Sequence, residues 1–152
     1  MEKVKIQFKK LYPDVKLPTQ AYPGDAGFDV YACSYDERTN FTIKLQPNER
    51  VLVGCGFSMS LPYGWEAQVR PRSGLALKNG ITVLNSPGTI DHSYTGQVGV
   101  ILINHGKESV YIYSGDKIAQ LVVAQVPQVE FEEVDELPQS ERGQKGFGSS
   151  GT

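Results

Sequence analysis

Short apolar runs separated by turn residues recur along most of the chain, and this pattern constrains the fold more than any other feature. Val4, Ile6 and Phe8 alternate with charged or polar residues, as expected for a half-buried strand. Further runs of apolar or alternating character are 51–57, 65–69, 81–84, 98–103, 110–113 and 121–124. Asn-Gly, Pro-Gly, His-Gly and Ser-Gly pairs separate several of these runs. The spacing predicts an all-β sandwich or barrel.

One short helix interrupts this pattern. Residues 75–78 (Leu-Ala-Leu-Lys) are good helix formers, and Ser73 is a favourable N-cap. Asn79 and Gly80 then supply a stop signal. The sequence therefore predicts a single helical turn or two from Ser73 to Lys78.

Length and charge restrict the classes of function. A chain of 152 residues predicts one domain spanning 1–152. The formal net charge of −2 lacks the basic footprint of a nonspecific nucleic-acid binder. The apolar runs are far shorter than the about 20 residues that span a bilayer, and the amino terminus lacks a hydrophobic stretch. These features predict a soluble, cytoplasmic protein without a membrane partner.

Cys33 and Cys55 lack histidines at ligand spacing, which predicts two buried reduced thiols rather than a zinc site.

The stretch 69–76 combines groups that suit an oxyanion. Arg72 supplies a guanidinium, Ser73 a hydroxyl, and Gly74 allows close approach of a ligand to the backbone. Free amides at the start of the predicted helix add donors. The same residues also fit a simpler arrangement in which Ser73 caps the helix and Arg72 lies in solvent, and this stretch alone does not decide between the two.

The stretch 85–96 predicts a polar hairpin tip. The apolar runs on either side would pair, with Pro87 and Gly88 at or near the bend. Asn85 at such a tip can read the edge of a planar ligand. Asp91 is a candidate general base, although an aspartate also commonly forms turns. His92 is expected to be exposed and to point away from Asp91, because successive residues of an extended segment face opposite sides.

The carboxyl-terminal part of the chain changes in composition. Acidic residues cluster over 130–136, and a tail rich in glycine and serine follows. By composition this tail is disordered in the free protein. It nevertheless carries Arg142 and Phe147, which a purely disordered tail would not require.

Five stretches, taken together and in order, resemble the motifs of the trimeric dUTPases. They are 26–32 (Ala-Gly-Phe-Asp-Val-Tyr-Ala), 71–76 (Pro-Arg-Ser-Gly-Leu-Ala), 85–91 (Asn-Ser-Pro-Gly-Thr-Ile-Asp), 115–121 (Gly-Asp-Lys-Ile-Ala-Gln-Leu) and 142–151 in the tail. The resemblance extends over about 3–151, practically the whole chain. Five ordered motifs are far more specific than any single glycine-rich match.

The resemblance implies a fold, an assembly and a reaction. The subunit would be a distorted jelly roll in a homotrimer with active sites between subunits. Water would attack the α-phosphorus of dUTP to give dUMP and pyrophosphate, with Asp91 as general base. This reaction supplies dUMP for thymidylate synthesis and keeps uracil out of DNA.

The resemblance also assigns roles to individual positions. Asp29 would contact Mg²⁺ only through water, because the ion is held mainly by the triphosphate. The substrate-binding positions implied are Arg72, Ser73, Gly74, Asn85, Gly88, Thr89, Ile90, Tyr94, Gly99, Gln120, Arg142, Phe147, Gly148 and Ser149. Asn85 would read uracil, and Tyr94 would pack against deoxyribose and exclude a 2′-hydroxyl.

The tail acquires a function in this interpretation. Residues 139–152 would form a flexible lid, with Phe147 stacked on uracil and Arg142 at the γ-phosphate. Three positions depart from the family pattern: Lys145 replaces a usual glycine, Ser93 a frequent acidic residue, and Gln97 a frequent glutamate.

Three alternatives remain at the level of the sequence. The related dCTP deaminases typically have Arg-Ser-Ser at 72–74 and a catalytic glutamate near position 101, where this chain has Gly74 and Ile101. A regulatory protein partner could use the acidic stretch 130–136. A domain that keeps only the fold, without activity, is the third.

Overall fold

The computed structural model describes residues 3–34 and 40–151. The bounds 1 and 152 of the predicted domain lie outside the described residues. Ten strands and one helix are present in this part of the chain. They are β1 (Gln7–Lys10), β2 (Gly27–Tyr31), β3 (Thr42–Leu45), β4 (Arg50–Ser60), β5 (Trp65–Arg70), α1 (Ser73–Asn79), β6 (Ile81–Val83), β7 (Gly88–Ile90), β8 (Gln97–Asn104), β9 (Val110–Tyr113) and β10 (Lys117–Gln125).

The strands form two four-stranded sheets and one smaller sheet. The first sheet has the order β1-β4-β8-β6, the second β2-β10-β5-β7, and β3 pairs with β9. Every pair of strands is antiparallel. The predicted all-β, jelly-roll-type fold with one short helix is confirmed.

Strict alternation places the core between the two large sheets. In β8, Val98, Val100, Leu102 and Asn104 are buried, while the residues between them are half-buried. In β4, the run Val53–Phe57 is buried without alternation, because the register with β8 shifts between Gly54 and Ser58. Burying an aliphatic or aromatic side chain of this size stabilises the fold by about 1.5–3 kcal/mol. This core fixes the strand ends that carry the polar residues.

The helix begins at Ser73, as predicted, and ends one residue later than predicted. α1 runs from Ser73 to Asn79, so Ser73 is the first helical residue and Arg72 occupies the N-cap without a capping side-chain bond. The prediction of Ser73 as N-cap was wrong because Arg72 already has extended backbone angles, φ −94° and ψ 130°. Gly80 ends the helix in the left-handed region at φ 68°. The hydroxyl of Ser73 is therefore not used as a helix cap.

The predicted hairpin pairing is confirmed, and Pro87 lies in the bend at 84–87, with Gly88 directly after it, as expected. β6 pairs with β8, with Val83 opposite Leu102. Gly88 does not lie at a bend; it begins β7, which crosses to the other sheet and pairs with β5. A Cβ at Gly88 would lie 3.2 Å from Cβ of Val69, so a glycine permits this close pairing. The connection between β6 and β8 thus bridges both sheets.

The two cysteines differ in burial. Cys55 is 2% exposed, as predicted, whereas Cys33 is only half-buried. Burial, together with a smaller effect of the nearby Cys33, raises the pKa of the Cys55 thiol to about 12. Among the described residues, no helix is long and apolar enough to cross a bilayer.

Candidate active site

A polar cleft of about 320 Å³ lies where β2, β10 and the start of α1 meet. We call it the arginine cleft. Five predicted site residues line it, namely Asp29, Arg72, Ser73, Gly74 and Gln120. Its remaining wall consists of Ala21, Asp25, Ala26 and Gly27. The structure therefore brings together residues of the first, second and fourth motif stretches, which are separated by up to about ninety positions in the sequence.

Arg72 is held at the edge of this cleft by two residues. Its Nε donates to Oδ1 of Asp29 at 3.0 Å, and its Nη1 donates to the carbonyl oxygen of Lys117 at 3.3 Å. Nζ of Lys117 lies 2.8 Å from Oδ2 of Asp29. The hydrogen bond to Asp29 and the charge of Asp29 raise the pKa of Lys117, which stays protonated at neutral pH. Two positive groups and one carboxylate leave this cluster with net positive charge.

Gln120 is fixed in the cleft by its neighbours. Its Nε2 donates to the carbonyl oxygen of Pro71 at 2.9 Å. Its Oε1 lies over Gly27, where a Cβ would come within 2.0 Å of that oxygen. Gly27 is thus required for the position of the Gln120 side chain. Sequence reasoning placed Gly27 in a motif but gave it no role, and it did not single out Lys117 or Asp25.

The first turn of α1 adds hydrogen-bond donors. The amides of Ser73 and Gly74 have no acceptor within a helix that begins at Ser73. Both residues are exposed, and nothing lies within 4 Å of a Cβ built on Gly74. Together with Arg72, these groups suit oxygen atoms of a phosphate chain. The alternative in which Ser73 serves as the N-cap is excluded by the observed helix start.

The residues of the arginine cleft suit a cation that is coordinated mainly by a bound ligand and not by protein side chains. No group of three or more His, Cys, Asp or Glu side chains is placed to hold a metal within 3–34 and 40–151. Each carboxylate oxygen of Asp29 has one protein partner, while a carboxylate accepts about four hydrogen bonds in all. Asp29 can accordingly accept from a water molecule of a hydrated ion, and a cage of protein ligands does not fit.

Asp91 lies in a different cleft. This second cleft, of about 460 Å³, is lined by Asp91, His92 and Trp65, and further by Tyr63, Gly64 and 126–129. It shares no lining residue with the arginine cleft. A single chain therefore does not bring Asp91 together with Arg72 and Gln120.

The expected separation of Asp91 from His92 is not observed. Both line the second cleft, because residues 91–94 form a turn in which the amide of Tyr94 donates to the carbonyl of Asp91 at 3.0 Å. The argument from an extended segment does not hold for a turn. The predicted exposure of His92 is confirmed, and its ring contacts that of Tyr63 edge-on with centroids 5.3 Å apart.

Tyr94 is positioned by its own loop. Its hydroxyl donates to the carbonyl of Gln97 at 2.8 Å, and its ring lies against Gly96, where a Cβ would come within 2.6 Å of the hydroxyl oxygen. The ring is about half exposed. Gln97 in turn accepts the amide of Gly56 through Oε1 at 3.0 Å.

The remaining predicted residues of the third stretch lie on or near β7 and β8. Asn85 is exposed in the turn before β7, and its Nδ2 would be 3.3 Å from a Cβ at Gly88. Within β7, Gly88 and Ile90 are buried and Thr89 is exposed. Gly99 lies within β8 opposite Gly54. None of these residues lines the arginine cleft.

The carboxyl-terminal tail is exposed and locally folded. Nε of Arg142 donates to the carbonyl of Lys145 at 2.8 Å. Phe147 is fully exposed at φ 51°, next to Gly148 at φ 89°. The amide of Ser149 donates to the carbonyl of Gly146 at 3.1 Å. In this arrangement Phe147 and Arg142 contact neither cleft.

Comparison with known proteins identifies the family. The family model of the dUTPases matches residues 13–151. The chain belongs to the dUTPase family. A deoxyuridine 5′-triphosphate nucleotidohydrolase from Helicobacter hepaticus is 48% identical over 99% of this chain and 91% of its own length. One from Trichodesmium erythraeum is 50% identical over 98% of this chain and all of its own length.

Solved structures agree with this assignment. A mutant dUTPase of Staphylococcus bacteriophage 80alpha, determined with dUpNHpp, superposes with a TM-score of 0.86 at 27% identity, covering 97% of this chain and 99% of its own. A mutant dUTPase of phage phi11 of S. aureus, described with a structural Mg(II) ion, has a TM-score of 0.77 at 22% identity and covers 89% of this chain and 99% of its own. At that identity the phi11 protein supports the fold alone.

Proposed function

We propose that this chain hydrolyses dUTP to dUMP and pyrophosphate. The observation that carries the proposal is the arginine cleft, in which side chains from three motif stretches of a dUTPase-family chain converge on one polar site that contains a guanidinium and free helix amides. Two relatives with about half of their residues identical to this chain bear the name deoxyuridine 5′-triphosphate nucleotidohydrolase. A nucleoside triphosphate is the ligand whose charge and length this cleft suits best.

The arginine cleft binds the phosphate chain in this proposal. Arg72 supplies the guanidinium, and Ser73 and Gly74 supply a hydroxyl and amides of the first helical turn. These donors are fixed before substrate arrives, so they stabilise the charge that develops on pyrophosphate as it leaves. Asp29 would hold Mg²⁺ through a water molecule, and the ion would supply positive charge against the charge of the phosphate chain.

Asp91 acts as the general base. Its carboxylate orients the attacking water and takes its proton as the water bonds to the α-phosphorus. Asn85 and the nearby backbone read the acceptor, donor, acceptor edge of uracil, which cytosine does not present. The ring of Tyr94, held by Gly96 and Gln97, packs against deoxyribose where a ribose 2′-hydroxyl would otherwise lie.

The active site is completed between chains of a homotrimer. Support comes from the separation of Asp91 and the arginine cleft within one chain. It also comes from the arm 126–137, whose apolar side chains are exposed, with Phe131 at 96% and Leu137 at 82%. Exposed apolar side chains in this number favour contact with another chain. Residues 139–152 then close over the substrate, with Phe147 on the base and Arg142 at the γ-phosphate. The cytoplasmic location stays a prediction.

The test is pyrophosphate release in the presence of Mg²⁺, with dUTP, dCTP, dTTP and UTP offered in parallel. We expect turnover of dUTP and poor turnover of the other three. Ammonia release from dCTP is measured in the same samples. Inert dUTP, or deamination of dCTP, contradicts the proposal.

A further inference from the structure

Lys117 reaches Asp29, a residue of the arginine cleft, because of an irregularity in β10. Lys117 and Gln120 are three residues apart, and in a regular strand that separation places two side chains on opposite faces. The register between β10 and β2 shifts between Lys117 and Ala119. Ile118 is the extra residue, and Ile118 and Ala119 are both buried. As a result, Lys117 is opposite Tyr31, and Gln120 is opposite Asp29. Tyr31 and Asp29 lie on one face of β2, so Lys117 and Gln120 lie on one face of β10.

The bulge places the ammonium group of Lys117 on one oxygen of Asp29. Nζ of Lys117 contacts Oδ2 at 2.8 Å, while Nε of Arg72 contacts Oδ1 at 3.0 Å. The Asp29 side chain is 13% exposed, so these contacts are partly protected from water. A carboxylate beside an arginine often binds it through both oxygens, engaging two nitrogens of the guanidinium. Here Lys117 occupies the second oxygen.

The consequence concerns the guanidinium of Arg72. Its Nε is used by Asp29 and one N–H of Nη1 by the carbonyl of Lys117. Neither contact engages Nη2. If Oδ2 of Asp29 were released, it could turn onto one N–H of Nη2 and remove that donor from the cleft.

We infer that Lys117 is a positioning residue for the phosphate-binding arginine: by holding Oδ2 of Asp29, it keeps Nη2 of Arg72 available to a substrate phosphate. The inference rests on the proposed hydrolysis of dUTP. It gives a reason for the bulge, which a regular strand carrying the same residues would not supply. Lys117 acts through Asp29 and not by contact with substrate.

The test compares Lys117→Met with Lys117→Arg and with the exposed control Lys107→Met. Lys117→Met should raise KM for dUTP and Kd for dUpNHpp by about fivefold to tenfold, with kcat nearly unchanged, because one charge-assisted donor is lost in the ground state. Lys117→Arg should keep both constants near their wild-type values, because arginine can also hold Oδ2 of Asp29. Lys107→Met should leave both constants unchanged. Equal thermal unfolding midpoints establish that the fold is intact.

A second arm separates action through Asp29 from direct contact with phosphate. In an Asp29→Asn background, the neutral amide no longer competes for Arg72, so adding Lys117→Met should change the Kd for dUpNHpp less than twofold. A full fivefold to tenfold loss in that background overturns the inference, as does an unchanged KM in Lys117→Met alone. Wild-type turnover of dUTP is measured alongside, so failure of the proposed function is recognised separately.

Discussion

Asp29 and Arg72 are 43 residues apart in the sequence and form a hydrogen-bonded ion pair of 3.0 Å between β2 and the start of α1. The pair lies at the boundary between a sheet edge and the first helical turn. It orients a guanidinium into a cleft that also receives Ser73, Gly74 and Gln120. A partly buried pair with a third charged partner is more strongly ordered than an isolated surface ion pair.

Gly27→Ala tests the fixed position of Gln120. The added Cβ would lie 2.0 Å from Oε1 of Gln120, so the side chain must move and lose its bond to the Pro71 carbonyl. We expect KM for dUTP to rise by about tenfold, and the free energy of unfolding to fall by about 1–3 kcal/mol from overpacking. Steady-state kinetics and denaturant unfolding measure the two effects. Unchanged KM would remove Gln120 from the proposed binding site.

Removal of residues 142–152 tests the tail as a lid. Because Phe147 is fully exposed, the truncated chain should unfold at the temperature of the full chain. Hydrolysis of dUTP should fall by at least about 100-fold, since the γ-phosphate contact and water exclusion are lost together. Circular dichroism on heating and pyrophosphate release measure these properties. A folded truncation with full activity would contradict the lid assignment.

Asn104→Leu tests a structural role away from both clefts. The side chain is fully buried; its Nδ2 donates to the carbonyls of Leu45 at 3.0 Å and Glu108 at 2.8 Å, and its Oδ1 accepts the amide of Gly106 at 2.8 Å. Leucine leaves these backbone groups without their partner. We expect a loss of about 2–4 kcal/mol in the free energy of unfolding. The KM for dUTP of the folded fraction should not change. An altered KM would mean that the hydrogen bonds of Asn104 also affect substrate binding.

The buried thiol of Cys55 predicts a pH dependence of stability. Its pKa is raised from 9.0 to about 12 in the folded state, so the folded state binds its proton more tightly than the unfolded state. Stability from this group is fully present below pH 9 and is lost as the pH rises from 9 towards 12. The loss is at most about 1.4 kcal/mol per pH unit.

Denaturant unfolding between pH 8 and pH 11 measures this effect, with Cys55→Ala as the matched variant. Lys117, whose pKa is also raised by Asp29, contributes a loss in the same direction at high pH. The difference between wild type and Cys55→Ala isolates the thiol. Equal slopes in the two proteins would contradict the assignment to Cys55.

Much of the fold follows from local patterns. The predicted run 110–113 matches β9 in both bounds, because its alternation is matched by that of β3, its partner strand. β7 was not predicted, since its pairing with β5 depends on a close approach at Gly88 that no local pattern encodes. The N-cap is Arg72 and not Ser73, because the extended backbone of Arg72, and not the capping preference of Ser73, sets its position.

The site was less accessible to sequence reasoning from the residues alone. The motif resemblance supplied five residues of the arginine cleft, Asp29, Arg72, Ser73, Gly74 and Gln120, and did not single out Asp25. Lys117 escaped notice because its direction depends on a bulge at Ile118, which arises from pairing with β2. In the proposed homotrimer, the position of Asp91 relative to Arg72 depends on how the chains assemble, which local patterns do not encode.

The central claim, that one active site is built from separate clefts of different chains, is tested most directly by mixing two inactive variants. Arg72→Ala and Asp91→Asn should each lower kcat/KM for dUTP by at least about 100-fold, with Asp91→Asn still binding dUpNHpp. After unfolding and refolding together in equal amounts, half of the arginine clefts are intact and half of their neighbours carry Asp91. About a quarter of wild-type activity should therefore return. Activity that stays at the level of the separate variants would mean that Arg72 and Asp91 serve within one chain, and would contradict the account.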